Sequence, residues 1–432
     1  MCMKHEVRNV DDVTRRAFLA GTLQACLGVG MMPLFRNLDL AAAAEPDPIA
    51  TARSVIYIYL SGGMSHLDTF DTKPGAETQG PVESLSTTAD GVQVSQYFPL
   101  LSRQMDKVAV INSMHSTQGA HPQARYFLHT GYDLRGTIKH PSMGAWAVKL
   151  AGPGNPTLPP HIEVGGQQYT ASAGFFDSAA GPLPIGDPSQ GLANGRLPAG
   201  VSEKEFSARL TRLQKLNASF RKRFATRDVR SHEQAYEQAV RLMRSRDLAA
   251  FDIAKEKDSV RDAYGRNRFG QGLLLARRLV EHRVRFIEVV SNGWDTHNEN
   301  FDALEAKCPE LDRGLAALLA DLDARGLLDE TLVVVATEFG RTPKITTGRN
   351  GRDHFPKAFT CLLAGGGIKR GIRYGRTDEL GMNVIENPVG IPELNATIAQ
   401  ALGLPIDKVL YSPSGRPFTV SHKGKPVMEL FA

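Results

Sequence analysis

Four cysteines, Cys2, Cys26, Cys308 and Cys361, are spread over 432 residues, and aromatic residues make up only 7% of the chain. So few thiols at such spacings exclude a zinc knuckle. Beyond the N-terminal stretch no segment approaches the roughly 20 apolar residues of a membrane span, so no permanent span is expected. Charge of one sign is not concentrated either. The net charge of +5 is dispersed, with some local density between Arg209 and Arg246, and no nucleic-acid partner is expected. G-x-S-x-G does not occur, which excludes a serine hydrolase built on that turn. The glycine-rich LLAGGGIKRG lacks the G-x-G-x-x-G order followed by a helix, which discounts a nicotinamide cofactor. No repeat with a period of about 20 to 50 residues is present, which excludes a solenoid.

What the N-terminus does have reads as an address label. Thr14 to Leu19 spell TRRAFL, a twin-arginine motif, and a weakly apolar stretch follows from Ala17 to Phe35. Small residues from Ala41 to Ala44 offer an A-x-A cleavage site, so residues 1–44 are expected to be a signal peptide. Its partner would be the twin-arginine export machinery, and the expected location is periplasmic or extracellular. Removal of this segment also removes Cys2 and Cys26. About 388 residues remain, enough for one large α/β domain or two smaller ones.

Polar clusters placed directly after apolar runs carry most of the functional information. SGGMSHLDTFD (Ser61 to Asp71) follows SVIYIYL, SNGWDTH (Ser291 to His297) follows RFIEVV, and TEFGRTP (Thr337 to Pro343) follows TLVVVA. GRDHFP (Gly351 to Pro356) comes soon after. Apolar runs rich in Val and Ile read as buried strands, and ligands of α/β sheets bind beyond the carboxyl ends of such strands. The clusters bring His66, Asp68, Asp295, His297, Glu338, Asp353 and His354 to that edge. Carboxylates and imidazoles from separate strands suit a divalent metal ion. Asp295 and His297, two residues apart, can point to the same side of an extended segment. The alternative is a capped turn in which Asp295 bonds backbone amides. Asp353 and His354 are adjacent and diverge in extended structure, so one is expected to ligate and the other to orient or touch substrate. Glu338 and Arg341 could equally form a local ion pair at a strand end.

Within SGGMSHLDTFD, Gly62 and Gly63 permit a tight turn. Ser65 is a candidate nucleophile and His66 a candidate base or ligand, while Asp71 fits a cap better. His121 and Arg125 lie four residues apart in HPQARYFLHTGY and could share a helical face, with Arg125 a clamp for an anion. Strands alternating with helices predict a largely parallel sheet covered on both faces. Residues 165–200, rich in Gly, Pro and Ser, read as a long loop or lid, and about 201–264 as a charged helical insert.

Taken together, the twin-arginine leader, LSGGMSHLDTFDTKP, GAHPQARYFLHTGY, YGRNRFGQGLLLARRLVEHRVRFIEV, GWDTH, TEFGRTP, GRDHF and LLAGGGIKRGIRYGRTD resemble the domain of unknown function 1501 family. The resemblance spans nearly the whole chain. It implies an alkaline-phosphatase-like or sulfatase-like α/β fold, a three-layer α/β/α sandwich over 45–432 with a mostly parallel central sheet and the helical insert. It also implies a metal-dependent site at the strand ends. In the sulfatase-like pattern the first strand ends in acidic ligands. Here Ser61 and Gly62 stand there, with His66 and Asp68 as substitutes. HPQAR followed by HTG resembles the sulfatase nucleophile motif, which puts His121 at the nucleophile position and Arg125 at the anion-holding one. TEFG stands where S-D-H-G is usual, so Glu338 replaces Asp, Phe339 cannot replace His, and His354 supplies the imidazole.

The expectation is thus an exported hydrolase of phosphate or sulfate esters. Its divalent ion, zinc, calcium or manganese, would be held by Asp295, His297, Glu338 and His354 with Asp353 nearby. His121 would serve as covalent nucleophile or general base, and Arg125 and Arg341 as anion clamps. The rival expectation is a binding or accessory protein of the envelope, catalytically inactive on the same fold. A structural envelope protein using the helical insert as its interface is the third.

Overall fold

The computed structural model describes residues 49–166, 172–192, 195, 197, 200–223, 237 and 239–432. The leader expected at 1–44 lies outside the described residues, as do parts of the segments 165–200 and 201–264.

Nine strands form the central sheet. They are β1 (Ser54–Ser61), β2 (Val108–His115), β3 (His161–Val164), β4 (Leu183–Ile185), β5 (Phe286–Asn292), β6 (Thr331–Ala336), β7 (Phe359–Ala364), β8 (Ile372–Tyr374) and β9 (Val389–Gly390). Their order is β8-β2-β7-β6-β1-β5-β3-β4, with β9 also beside β2. All pairings are parallel except those of β7, which runs antiparallel to both β6 and β2. The sheet is therefore mostly parallel, as expected. Two details differ from the sequence reading. KAFTCLLAGG enters reversed as β7, since the segment between Ala336 and Phe359 holds a two-residue ladder and no crossover helix. The stretch read as a structureless loop contributes β4, whose three residues are too few for a period to show.

Long helices cover both faces. In chain order the long helices are α1 (His121–Thr130), α2 (Met143–Ala151), α3 (Glu203–Arg223), α4 (Arg268–Glu281), α5 (Asn300–Ala324) and α6 (Ile391–Ala401); α3 holds no buried residue among those described and is not one of the covering helices. Ile56, Ile58 and Leu60 of β1 point into an apolar core with Leu273, Leu274 and Leu315 of α4 and α5. The alternate residues Tyr57 and Tyr59 point the other way, against His129 of α1. This period-two division of one strand between two cores makes the three layers. Among the described residues no helix is long and apolar enough to cross a membrane. Cys308 and Cys361 are both buried and unbridged, and burial pushes the Cys361 thiol up to about 12. The hairpin Leu410–Phe418, in which Leu410–Tyr411 pairs with Pro417–Phe418, groups apart from the body of residues 49–409 and 419–432.

The α1 face of the sheet is polar in places. His129 Nε2 lies 3.0 Å from Glu288 Oε1, and its Nδ1 lies 2.8 Å from the Arg125 carbonyl, with both side chains buried. Burial alone would lower the His129 pKa, but the Glu288 carboxylate outweighs it and raises the value above 6.5. A raised folded-state value means the pair stabilises most below pH 6.5 and progressively less as pH rises through the folded pKa. Denaturant midpoints taken between about pH 6 and pH 9 should fall for this reason, and Glu288→Gln should flatten that fall. An unchanged slope in the variant would contradict the assignment.

Candidate metal centre

Strands β6, β1 and β5 are neighbours and parallel, so their carboxyl ends open on the same edge. That is why SGGMSHLD meets SNGWDTH and TEFGRTP, although it lies more than 200 residues before them. Gly62 makes the closest junction. Its φ is +127°, and a Cβ there would sit 2.4 Å from the Asp295 nitrogen. Gly62→Ala should therefore cost at least about 2 kcal/mol and push the Asp295 loop outward. Gly293→Ala, at φ +98° but with nothing within 4 Å, should leave that loop in place. Equal losses of ion affinity in the two variants would refute the contrast.

The fourth cluster returns over this edge as a two-residue ladder, His354 opposite Arg341 and Phe355 opposite Gly340. The fifth contributor is the first turn of α1, which begins at His121 beside Pro122. Three imidazoles converge here with one carboxylate. His121 Nε2 is 3.3 Å from Asp295 Oδ2, while His297 Nε2 and His354 Nε2 are 3.2 and 3.5 Å from Asp295 Oδ1. Donor atoms of His121, Asp295 and His354 all lie within 4.8 Å of one another. The side chains of Asp295, His297, His354 and His121 are 46%, 31%, 24% and 23% exposed, so solvent reaches one side of the group. Phe339, fully buried, floors the other side, with its ring centroid 5.0 Å from that of His121 and 4.4 Å from that of His354.

Each imidazole is oriented through its other nitrogen. His121 Nδ1 lies 3.0 Å from Glu338 Oε1, His297 Nδ1 lies 2.7 Å from Asp353 Oδ1, and His354 Nδ1 lies 2.9 Å from the Gly119 carbonyl. A carbonyl can only accept, so His354 carries its hydrogen on Nδ1. The Asp353 carboxylate likewise only accepts, so His297 Nδ1 donates too, and that bond holds the Asp353 carboxyl below its usual range. Both Nε2 atoms are then lone-pair atoms, yet they stand 3.0 Å apart. In neutral imidazoles these two facing lone pairs repel unless a proton or a metal cation is held between them. His121 Nε2 is likewise buried and makes no hydrogen bond. Nitrogen donors aimed inward and held from behind by carboxylates or carbonyls are the usual setting of metal-bound histidine, so the residues fit a divalent ion.

Burial would raise the Asp295 carboxyl, and the Arg341 guanidinium bonded to its Oδ1 outweighs that and holds it low. Burial also lowers the His354 pKa, which keeps that imidazole neutral.

The structure places several expected site residues elsewhere. Glu338 is turned to His121 Nδ1 and to the Gly62 amide at 3.0 Å, away from Asp295, so its carboxylate lies behind an imidazole. Asp353 lies behind His297 in the same way. Arg341 is wholly buried, donating to the carbonyls of Gly63 (2.8 Å), Arg352 (3.0 Å) and Gly62, and its ion pair is with Asp295 instead of Glu338. A guanidinium so enclosed cannot clamp an external anion. Asp68 is not among the converging groups. It forms a fully buried two-point ion pair with Arg352, at 2.7 and 2.9 Å, because a carboxylate without solvent needs a fixed cation. Ser65 is also buried and donates to Asp68 at 2.6 Å. His66 is buried against the Gly381 carbonyl at 2.9 Å. Arg125 donates from Nε to the His121 carbonyl one turn earlier on α1, at 3.3 Å. Sequence reasoning passed over the Gly119 carbonyl, the Phe339 floor and the buried role of Arg352. A main-chain acceptor leaves no side-chain signal, but the adjacency of Arg352 to Asp353 could have marked the last.

Among curated proteins, none matches the chain. Solved structures similar to it include the PsFucS1 sulfatase from Pseudoalteromonas sp., with 13% identity, a TM-score of 0.41, and 86% of this chain and 73% of that one covered. The lipoteichoic acid synthase LtaP from Listeria monocytogenes shows 9% identity and a TM-score of 0.38 over 83% of this chain and 74% of that one. A mutant of the alkaline phosphatase PafA shows 10% identity and a TM-score of 0.41 over 89% and 100%. The family described as "Protein of unknown function (DUF1501)" matches residues 52–431, nearly the whole chain, and the protein belongs to it.

Proposed function

We propose that the protein is a metal-dependent hydrolase of phosphate or sulfate esters, exported by the twin-arginine pathway. The observation that carries the metal reading is the pair of lone-pair nitrogens of His297 and His354 facing each other at 3.0 Å beside Asp295. His121, Asp295, His297 and His354 would hold the ion, with Glu338 and Asp353 fixing two of the rings. In this reading His121 is a ligand, and neither nucleophile nor base. Three imidazoles and one carboxylate suit zinc better than calcium or manganese, which favour oxygen donors. When bound, such an ion supplies Lewis acidity toward an ester oxygen. The chain's own residues do the rest. Phe339 excludes water from behind the rings, the exposed side of the group admits substrate, and Arg125 adds positive charge one helical turn from His121.

The test is metal analysis of the purified chain together with hydrolysis of aryl phosphates and aryl sulfates, wild type against His297→Ala. Metal in the wild type, and turnover reduced at least about 100-fold in the variant, are expected. A folded protein that binds no divalent ion would end this reading.

A binding or accessory role on the same site is favoured by one observation. Ser65, the hydroxyl singled out as nucleophile, is sealed inside the protein on Asp68. Tight metal binding with no turnover across a broad ester panel would move the assignment there.

A further inference from the structure

We infer that the centre takes one divalent ion and not two, because the guanidinium of Arg341 permanently occupies the place a second cation would need. The inference rests on the metal reading above. At Asp295 Oδ1, the oxygen not paired with His121, the Arg341 guanidinium gathers four oxygens: this one and the carbonyls of Gly62, Gly63 and Arg352. Carboxylate and carbonyl oxygens in such a cage are what a hard divalent cation collects. Here Arg341 donates to all four, and its side chain has no exposure.

The remaining acidic groups are already engaged elsewhere. Glu338 and Asp353 each face the Nδ1 of an imidazole, and Asp68 is neutralised by Arg352. Asp295 is the carboxylate of the group whose donor atoms converge among the described residues. Paired catalytic ions usually share a carboxylate at a separation of about 3.5–4 Å. Asp295 is such a bridge, but it links the ion position to a fixed organic cation. A second ion would meet that positive charge at close quarters in a place without solvent. Arg341 is thus a positioning residue: it holds Oδ1, leaves Oδ2 toward His121, and sets the number of ions.

Cobalt(II) is the probe. The full chain, stripped by chelation and dialysed, is titrated with Co2+ while visible absorbance and bound cobalt are followed. Saturation at one equivalent is expected. Saturation at two equivalents would overturn the inference and leave the metal reading intact. No uptake by folded protein would overturn the metal reading, and this inference with it. Arg341→Ala and Arg341→Lys separate charge from packing. With folding checked by near-UV circular dichroism, Arg341→Ala should take up a second equivalent, at least about 10-fold more weakly than the first, and Arg341→Lys should stay at one. A merely structural arginine would change stability in these variants without changing stoichiometry. A folded Arg341→Ala that still stops at one ion would overturn the place assigned to this side chain.

Discussion

Asp295→Asn is expected to lower divalent-ion affinity by more than about 100-fold, the largest functional loss of any single change at this site. Asp295 is the one carboxylate near all three inward imidazole nitrogens, and an amide carries no charge with which to balance an ion. Groups behind the ligands matter less, commonly about 10- to 100-fold. Glu338→Gln and Asp353→Asn should therefore fall in that lower range, each freeing one ring to turn. Calorimetric titration of the three apo variants with zinc gives the order directly. If Glu338→Gln lost more affinity than Asp295→Asn, Glu338 would have to be a ligand, and its place behind His121 would be wrong.

The second large effect concerns stability. Asp68→Ala should destabilise the fold by about 3–5 kcal/mol, because it strands the Arg352 guanidinium in a place with no solvent. Besides Ser65, four further groups depend on this pair. Arg352 also donates to the carbonyls of Thr78, Thr342 and Pro343, and Asp68 also accepts from Asn300 at 2.9 Å. The pair thus ties the loop after β1 to the start of α5 and to the turn that carries Asp353 and His354. Removing both charges, as in Asp68→Leu with Arg352→Met, should cost less than either single change, since well-packed apolar replacements of buried pairs are often near neutral. Denaturant midpoints of the two single variants and the double variant test this. Additive losses would show that the charges do not interact as the geometry requires.

Much of the frame was legible from residue patterns. SVIYIYL, RFIEVV and TLVVVA became β1, β5 and β6, because continuous apolar runs of β-branched residues can only be central strands. HPQARYFLHT, where His121 and Arg125 were expected to share a helical face, became α1. The convergence of Asp295, His297 and His354 was foreseeable from cluster position alone, since each follows a strand or the turn beside one. The division of labour was not. Glu338, expected among the converging groups, stands behind His121 instead, because which carboxylate faces the centre depends on side-chain direction at a strand end, and no spacing rule reports that. Asp68 was expected to be a metal ligand and Arg341 an anion clamp. Their burial comes from segments distant in the chain folding over them.

Local pattern by itself determined the alternating strands and helices, the mostly parallel sheet, and the edge at which polar chemistry would collect, because apolar period and strand length are properties of neighbouring residues. Only the tertiary structure decided which imidazole nitrogens point inward, which carboxylates stand behind them, and that Arg341 and Arg352 neutralise Asp295 and Asp68 from within. Those choices are made by burial and charge pairing between residues as far apart as Asp68 and Arg352, and such energies exist only once the chain has closed on itself.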